Sequence, residues 1–70
     1  MQIIFSKHAE YRILERKINK ETVEYIVKNP DFVSDSYWNR KIASKSLEKL
    51  WHVVFVEEKK RIVVISVYHD

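Results

Sequence analysis

Two apolar runs near the end of the chain constrain what it can fold into: Leu50-Trp51-His52-Val53-Val54-Phe55-Val56 and Arg61-Ile62-Val63-Val64-Ile65-Ser66-Val67-Tyr68. Both are short and rich in β-branched and aromatic residues, so they read as the two strands of a β-hairpin. Their connection, Glu57-Glu58-Lys59-Lys60, contains neither Gly nor Pro. That favours a four-residue loop built on a type I turn over a two-residue primed turn. A strand with one face in water alternates apolar and polar side chains, whereas these runs are apolar almost throughout. The hairpin is therefore expected at the centre of its sheet with at least one face covered, and the cover must be helical.

Strict alternation sorts the second run into two faces, Arg61, Val63, Ile65, Val67 and His69 on one, Ile62, Val64, Ser66, Tyr68 and Asp70 on the other. The face of His52 then depends on whether Val56 pairs with Arg61 or with Ile62, and the charged connection leaves both registers open.

Upstream, Gln2 to Phe5 is a short strand-like run, and Ser6 is placed to cap a helix over Lys7 to Lys17. On a helical wheel His8, Arg12, Glu15 and Arg16 fall in one sector, while Tyr11, Leu14 and Ile18 gather on the other side as the expected apolar face. Glu10 and Lys17 interrupt that face, with stems able to snorkel past the core edge. A second helix starts behind Asn19, with Glu21 in its first turn and an Ile18/Val23 staple. It buries Val23, Ile26 and Val27 and ends at Asn29-Pro30. So short a corner predicts a helical hairpin covering the sheet. From Asp31 the pattern turns to shorter strands, Phe32 to Tyr37 and Ile42 to Leu47, broken at Trp38 to Lys41 and at Glu48-Lys49. The alternating Ser34, Ser36, Ser44 and Ser46 suit edge or half-exposed strands. The order β-α-α-β-β-β(-β) describes one α+β domain over residues 1–70, two N-terminal helices packed on a predominantly antiparallel sheet.

Composition narrows the chemistry. At 46% hydrophobic and 33% charged, the chain has the balance of a soluble globular domain. No apolar run approaches the roughly 18 residues of a membrane span, and Met1 to Phe5 is too short for a signal segment, so a cytoplasmic protein with no membrane partner is expected. There is no Cys, hence no disulfide and no thiolate site, and the three His residues lack ligand spacing. No metal or other cofactor is expected. The absence of Gly rules out a Gly-rich phosphate loop. Thirteen Lys and Arg against ten Asp and Glu, a net charge of +3, are compatible with an anionic partner.

Three sets of residues could carry function. His8, Arg12 and Arg16, four residues apart on one helix face, match a phosphate-binding stripe, or a solvated face with the arginines paired to Glu15. Arg40, Lys41, Lys45 and Lys49, interleaved with Tyr37, Trp38 and Trp51, fit single-stranded RNA, with rings to stack bases and cations to hold phosphates; they equally fit a core Trp51 beside edge-protecting lysines. Arg61, Tyr68, His69 and Asp70 offer a charge holder and proton carriers. Cleavage of RNA by its own 2′-hydroxyl needs only a base, an acid and cations around the phosphorane.

The Ser6-Lys7-His8-Ala9 opening with Arg12 and Arg16 behind it, the segment Ile18 to Pro30, and the close Val63-Val64-Ile65-Ser66-Val67-Tyr68 together resemble small prokaryotic proteins of the RelE/ParE toxin superfamily. The resemblance runs along the whole chain as order and pattern. It implies two N-terminal helices on an antiparallel sheet, and a toxin of a toxin-antitoxin pair with a cognate antitoxin as partner. RelE-like members cleave mRNA on the ribosome without a metal. By that likeness Arg61, Tyr68, His69 and Lys45 are the catalytic candidates, and His8, Arg12, Arg16, Arg40 and Lys41 the RNA-binding ones. ParE-like members inhibit DNA gyrase instead, so a non-catalytic binding module, gyrase-directed or binding only RNA or protein, is the alternative.

Overall fold

The computed structural model describes residues 2–70. The chain runs β1 (Gln2–Phe5), α1 (Lys7–Arg16), α2 (Lys20–Lys28), β2 (Phe32–Asp35), β3 (Arg40–Ser46), β4 (Leu50–Glu58) and β5 (Arg61–His69). The five strands form one mixed sheet in the order β1-β5-β4-β3-β2. β1 runs parallel to β5 and the other pairings are antiparallel. The β4–β5 hairpin lies in the interior of the sheet, as its apolar runs require. Among the described residues no helix is long and apolar enough to cross a membrane.

Both helices lie on one face, α1 over β5 and β1, α2 over β3 and β4. Each packs on the sheet more than on the other helix, and together the two helices cover one face of it, as the short corner implied. The core between the layers is Ala9 and Ile13 from α1, Val23 and Ile26 from α2, and Ala43, Trp51, Val53, Phe55, Val64 and Val67 from the sheet. Each of the larger aliphatic side chains contributes about 1.5–3 kcal/mol by leaving water. Among the described residues nothing forms a covering layer on the opposite sheet face.

Three features of the hairpin differ from the sequence reading. The ladder continues through Glu57↔Ile62 and Glu58↔Arg61, so the turn is the two residues Lys59 and Lys60. Neither has positive φ, so it is not a primed turn. Val56 consequently pairs with Val63, not with Arg61 or Ile62. Further along, Val54 pairs with Ser66 and Phe55 with Val64, which leaves Ile65 as an extra, bulged residue. The bulge resets the alternation. Val64 and Val67, three residues apart, are both buried on the helix side, joined there by His69, whereas Ser66, Tyr68 and Asp70 fall on the open face with His52. The even sorting of β5 into two alternating faces therefore fails beyond Val64.

The first helix also turns differently from expectation. Its buried residues are Ala9 and Ile13, while Tyr11 and Leu14 are 60% and 79% exposed. Counting apolar side chains gives little weight to alanine, yet a small side chain is what lets a helix axis come close to a strand. The contact face therefore centres on Ala9, beside the basic stripe. The second helix follows expectation, with Asn19 Oδ1 accepting from Thr22 N at 2.8 Å and Val23 and Ile26 buried. In the middle strands Ser34 and Ser46 are exposed, but Ser44 is only 1% exposed, because β3 lies inside the sheet.

Ser6 ties the first crossover to the bulge. Its Oγ accepts from Ala9 N at 3.0 Å as the α1 cap and donates to Ile65 O at 3.2 Å, while its N–H donates to Val64 O at 3.0 Å. Ser6→Ala is expected to cost about 1–2 kcal/mol, since the cap and the contact to the bulge disappear together. A urea unfolding midpoint unchanged from the parent would show that Ile65 O is satisfied without Ser6.

Candidate functional site

The four residues singled out as catalytic do not meet. Arg61 begins β5 and His69 ends it, about 27 Å apart at the rise of a strand. Arg61 is ion-paired to Glu58 across the turn. Tyr68 projects from the open face and stacks on His52, with ring centroids 4.8 Å apart. His69 and Lys45 project to the helix side, where Lys45, Trp51 and His69 form one cross-strand row. Lys45 lies over the Tyr25 ring and reaches Asp31 at 3.3 Å. The backbone N–H of Ser46 and the Lys45 ammonium hold the Asp31 carboxyl below its ordinary range. His69 stands edge-on against Trp51 at 4.8 Å and its Nδ1 donates to Asp70 O at 2.9 Å, which leaves Nε2 of the neutral ring as an available base.

The helix stripe divides as well. Arg12 reaches Glu15 at 2.6 Å and His8 Nε2 at 3.4 Å, and the guanidinium lowers the Glu15 pKa. Arg16, one turn on, adds to the positive charge near Glu15 but makes no ion pair with it. Its Nε is buried and has no hydrogen-bond partner among the described residues. Of the RNA-binding candidates in the middle strands, Lys41 is neutralised by Glu57 at 2.7 Å, which raises its pKa, while Arg40 lies over the Trp38 ring and has no carboxylate partner among the described residues.

Arg16 lines a pocket of about 390 Å³ at the corner between the helices, together with Lys17, Asn19, Thr22, Lys49 and Trp51. The corner is built locally. Ile18 N donates to Ile13 O and Lys17 N to Leu14 O, the pair of bonds of a Schellman closure, with Lys17 in the left-handed region at φ 58. Glycine is the usual residue there, and a lysine costs on the order of 1 kcal/mol. Arg16, Lys17 and Lys49 have no carboxylate partner among the described residues. Glu48, from the β3–β4 turn, is the one acid on the wall. The start of α2 adds partial positive charge through its first backbone N–H groups. Trp51, 8% exposed, forms the floor, with His69 behind it. The pocket is thus a cationic recess, with Arg16, Lys17 and Lys49 on its wall, of a charge suited to a phosphate oxygen. Residues from two of the sequence-derived sets line it, Arg16 from the stripe and Lys49 and Trp51 from the middle strands, while His69 from the chain end stands against the far side of Trp51 and does not line it. Lys17 was missed, although a lysine where a helix end asks for glycine is a visible signal.

On the open face a second cluster escaped the sequence reading because the register of His52 was undecided. Ser44 Oγ lies 2.7 Å from His52 Nδ1, and His52 Nε2 lies 3.2 Å from Asp70 Oδ1. With Nε2–H donating to the carboxylate, Nδ1 accepts from the Ser44 hydroxyl. The order serine, imidazole, carboxylate is that of an activated nucleophile. Here, however, the hydroxyl is closed to any substrate, since Ser44 is 1% exposed. The chain of contacts serves as a clasp joining β3, β4 and the segment after β5. His52→Ala strands the buried Ser44 hydroxyl and is expected to cost about 1–3 kcal/mol in denaturant unfolding. A loss no larger than that of an exposed substitution would mean that Ser44 has another acceptor.

A family model described as "Domain of unknown function (DUF4258)" matches residues 5–69. No curated protein and no solved structure matches the chain.

Proposed function

We propose that this chain, which belongs to the DUF4258 family, is an RNA-directed protein of the RelE/ParE toxin type that holds an RNA phosphate in the corner pocket and cleaves the strand there. The observation that carries this reading is the recess that Arg16 shares with Lys17 and Lys49, three cations with no carboxylate partner among the described residues. The N–H groups of the guanidinium other than the buried Nε can donate charge-assisted hydrogen bonds to a phosphate oxygen. The lysines neutralise charge as it grows on the phosphorane. His69 stands beyond Trp51, outside the recess, so it is the proton carrier for a strand that runs from the pocket past Trp51 to its Nε2. It takes the 2′-hydroxyl proton, the 2′-oxygen attacks phosphorus, and the 5′-oxygen leaves with a proton from the imidazolium or water. The products carry 2′,3′-cyclic phosphate and 5′-hydroxyl ends.

The uncovered sheet face favours a protein partner as the second element of the reading. Ile4, Ile42, Val54, Val56 and Val63 lie half-exposed there with no layer over them. A cognate antitoxin covering this face fits the toxin reading, and a gyrase-directed or purely binding protein would use the same face without RNA chemistry.

Expression without a partner is expected to arrest growth and leave messages with cyclic or 3′-phosphate ends, unaffected by EDTA in vitro. Arg16→Gln should weaken RNA binding and lower its salt slope by about one unit. His69→Ala should keep binding and lose cleavage by roughly 10²-fold or more. Arrest with intact mRNA and altered DNA supercoiling replaces this reading with the gyrase-directed one.

A further inference from the structure

The β2–β3 hairpin reverses at Trp38 and Asn39, both in the left-handed region at φ 57 and 59. Arg40 N donates to Tyr37 O at 3.2 Å, and Ser36 N to Arg40 O at 2.8 Å, so the tip is a closed two-residue turn of the primed class. Asn tolerates this backbone, but a bulky aromatic residue does so at a cost that glycine would remove. The indole does not repay the strain by packing. Trp38 is 82% exposed and Tyr37 79%, the most exposed aromatic side chains among the described residues. Their ring centroids are 6.0 Å apart at 53°, so neither ring covers the other's face. The Arg40 guanidinium lies 5.9 Å from the Trp38 centroid.

We infer that this tip is a stacking platform for unpaired bases of single-stranded RNA, a deepening that rests on the RNA reading of the corner pocket. Strain kept at an exposed position points to a ligand outside the fold. An exposed indole with a cation over one face and the other open, beside a second exposed ring, is what base stacking uses. A protein anchor, by contrast, is ringed by contacts that exclude water. The cleft beside the tip, about 560 Å³, is lined instead by Asp35, Ser36, Asn39, Arg40, Lys41 and Glu57. Asp35 and Glu57 offset Arg40 and Lys41, so the cleft carries no net charge for a phosphate, and the groups at hand for a base edge are the Ser36 hydroxyl and the Asn39 amide. The tip and the corner pocket stand at opposite ends of β3, about 20 Å apart along the strand. A short single strand spans that distance, with a base on Trp38 and a phosphate on Arg16.

The test uses the full chain with a short labelled oligouridine, the same strand annealed to its complement, and the variants Trp38→Ala, Trp38→Phe, Trp38→Gly and Arg16→Gln. Trp38→Ala is expected to weaken single-strand binding about tenfold, and Trp38→Phe to retain most of it. Exposed indole fluorescence should be quenched on binding in the parent and in Arg16→Gln at saturation, and most of the quench should be lost in Trp38→Phe, where the remaining indole is Trp51 at the floor of the corner pocket. Trp38→Gly should melt at a higher temperature than the parent while losing affinity. Parent-like binding by Trp38→Ala, with Arg16→Gln still impaired, overturns the platform and leaves the phosphate pocket standing. Duplex bound as tightly as single strand also overturns the platform. No RNA binding by any form overturns both, and a protein ligand shielding Trp38 in its place assigns the tip to protein recognition.

Discussion

Ile65 has no partner on β4, and its carbonyl is held by the Ser6 hydroxyl that also caps α1. Much of the arrangement depends on this one bulge. It lets β5 present Val64 and Val67 to the helices although they are three residues apart. It sends His69 to the helix side against Trp51 and Tyr68 to the open side against His52. A bulge shifts the side-chain period by one, and every residue beyond it changes face. Without it, His69 would lie on the open face and the corner pocket would have no imidazole behind its floor.

The two places argued to bind RNA share a physical signature. Each is built on residues that hold a left-handed backbone without being glycine, Lys17 at the helix corner and Trp38 with Asn39 at the hairpin tip. Each also has an arginine without a carboxylate partner among the described residues, Arg16 and Arg40, whereas Arg12 and Arg61 are ion-paired. Local conformational cost and unspent charge are thus found together at both ends of β3. Elsewhere the fold is conventionally satisfied: Lys20 with Glu10, Lys41 with Glu57 and Lys45 with Asp31 neutralise one another at the surface. Such exposed pairs contribute little stability, but they remove those lysines from the pool of cations open to a ligand.

The two faces of the sheet have different chemistry. The helix side carries the core and, at its edge, the cationic corner. The open side carries an aliphatic centre in Ile4, Ile42, Val54, Val56 and Val63, bounded by the Ser44, His52, Tyr68 and Asp70 cluster. The cationic corner and the aliphatic centre therefore lie on opposite sides, although Arg40, which pairs with Val56, belongs to the open side at the hairpin tip.

Residue order alone determined the element sequence, the interior place of the β4–β5 hairpin, the caps at Ser6 and Asn19 and the buried pair Val23 and Ile26, because each rests on local periodicity or capping within a few positions. It also marked Arg16, Lys49, Trp51 and His69 as separate candidates. Tertiary structure decided which of them meet. The Val54/Phe55 register shift and the two-residue Lys59-Lys60 turn set the faces of His52, Tyr68 and His69, and neither has a signal in a charged connection free of Gly. The choice of Ala9 over Leu14 as the buried side of α1 reflects how closely helix and strand approach, which hydrophobicity counts do not measure. The corner pocket closes only where α1, α2 and the β3–β4 turn come together, a contact between segments about 30 residues apart. Such contacts are set by the packing of the whole sheet, so no local pattern could have announced them.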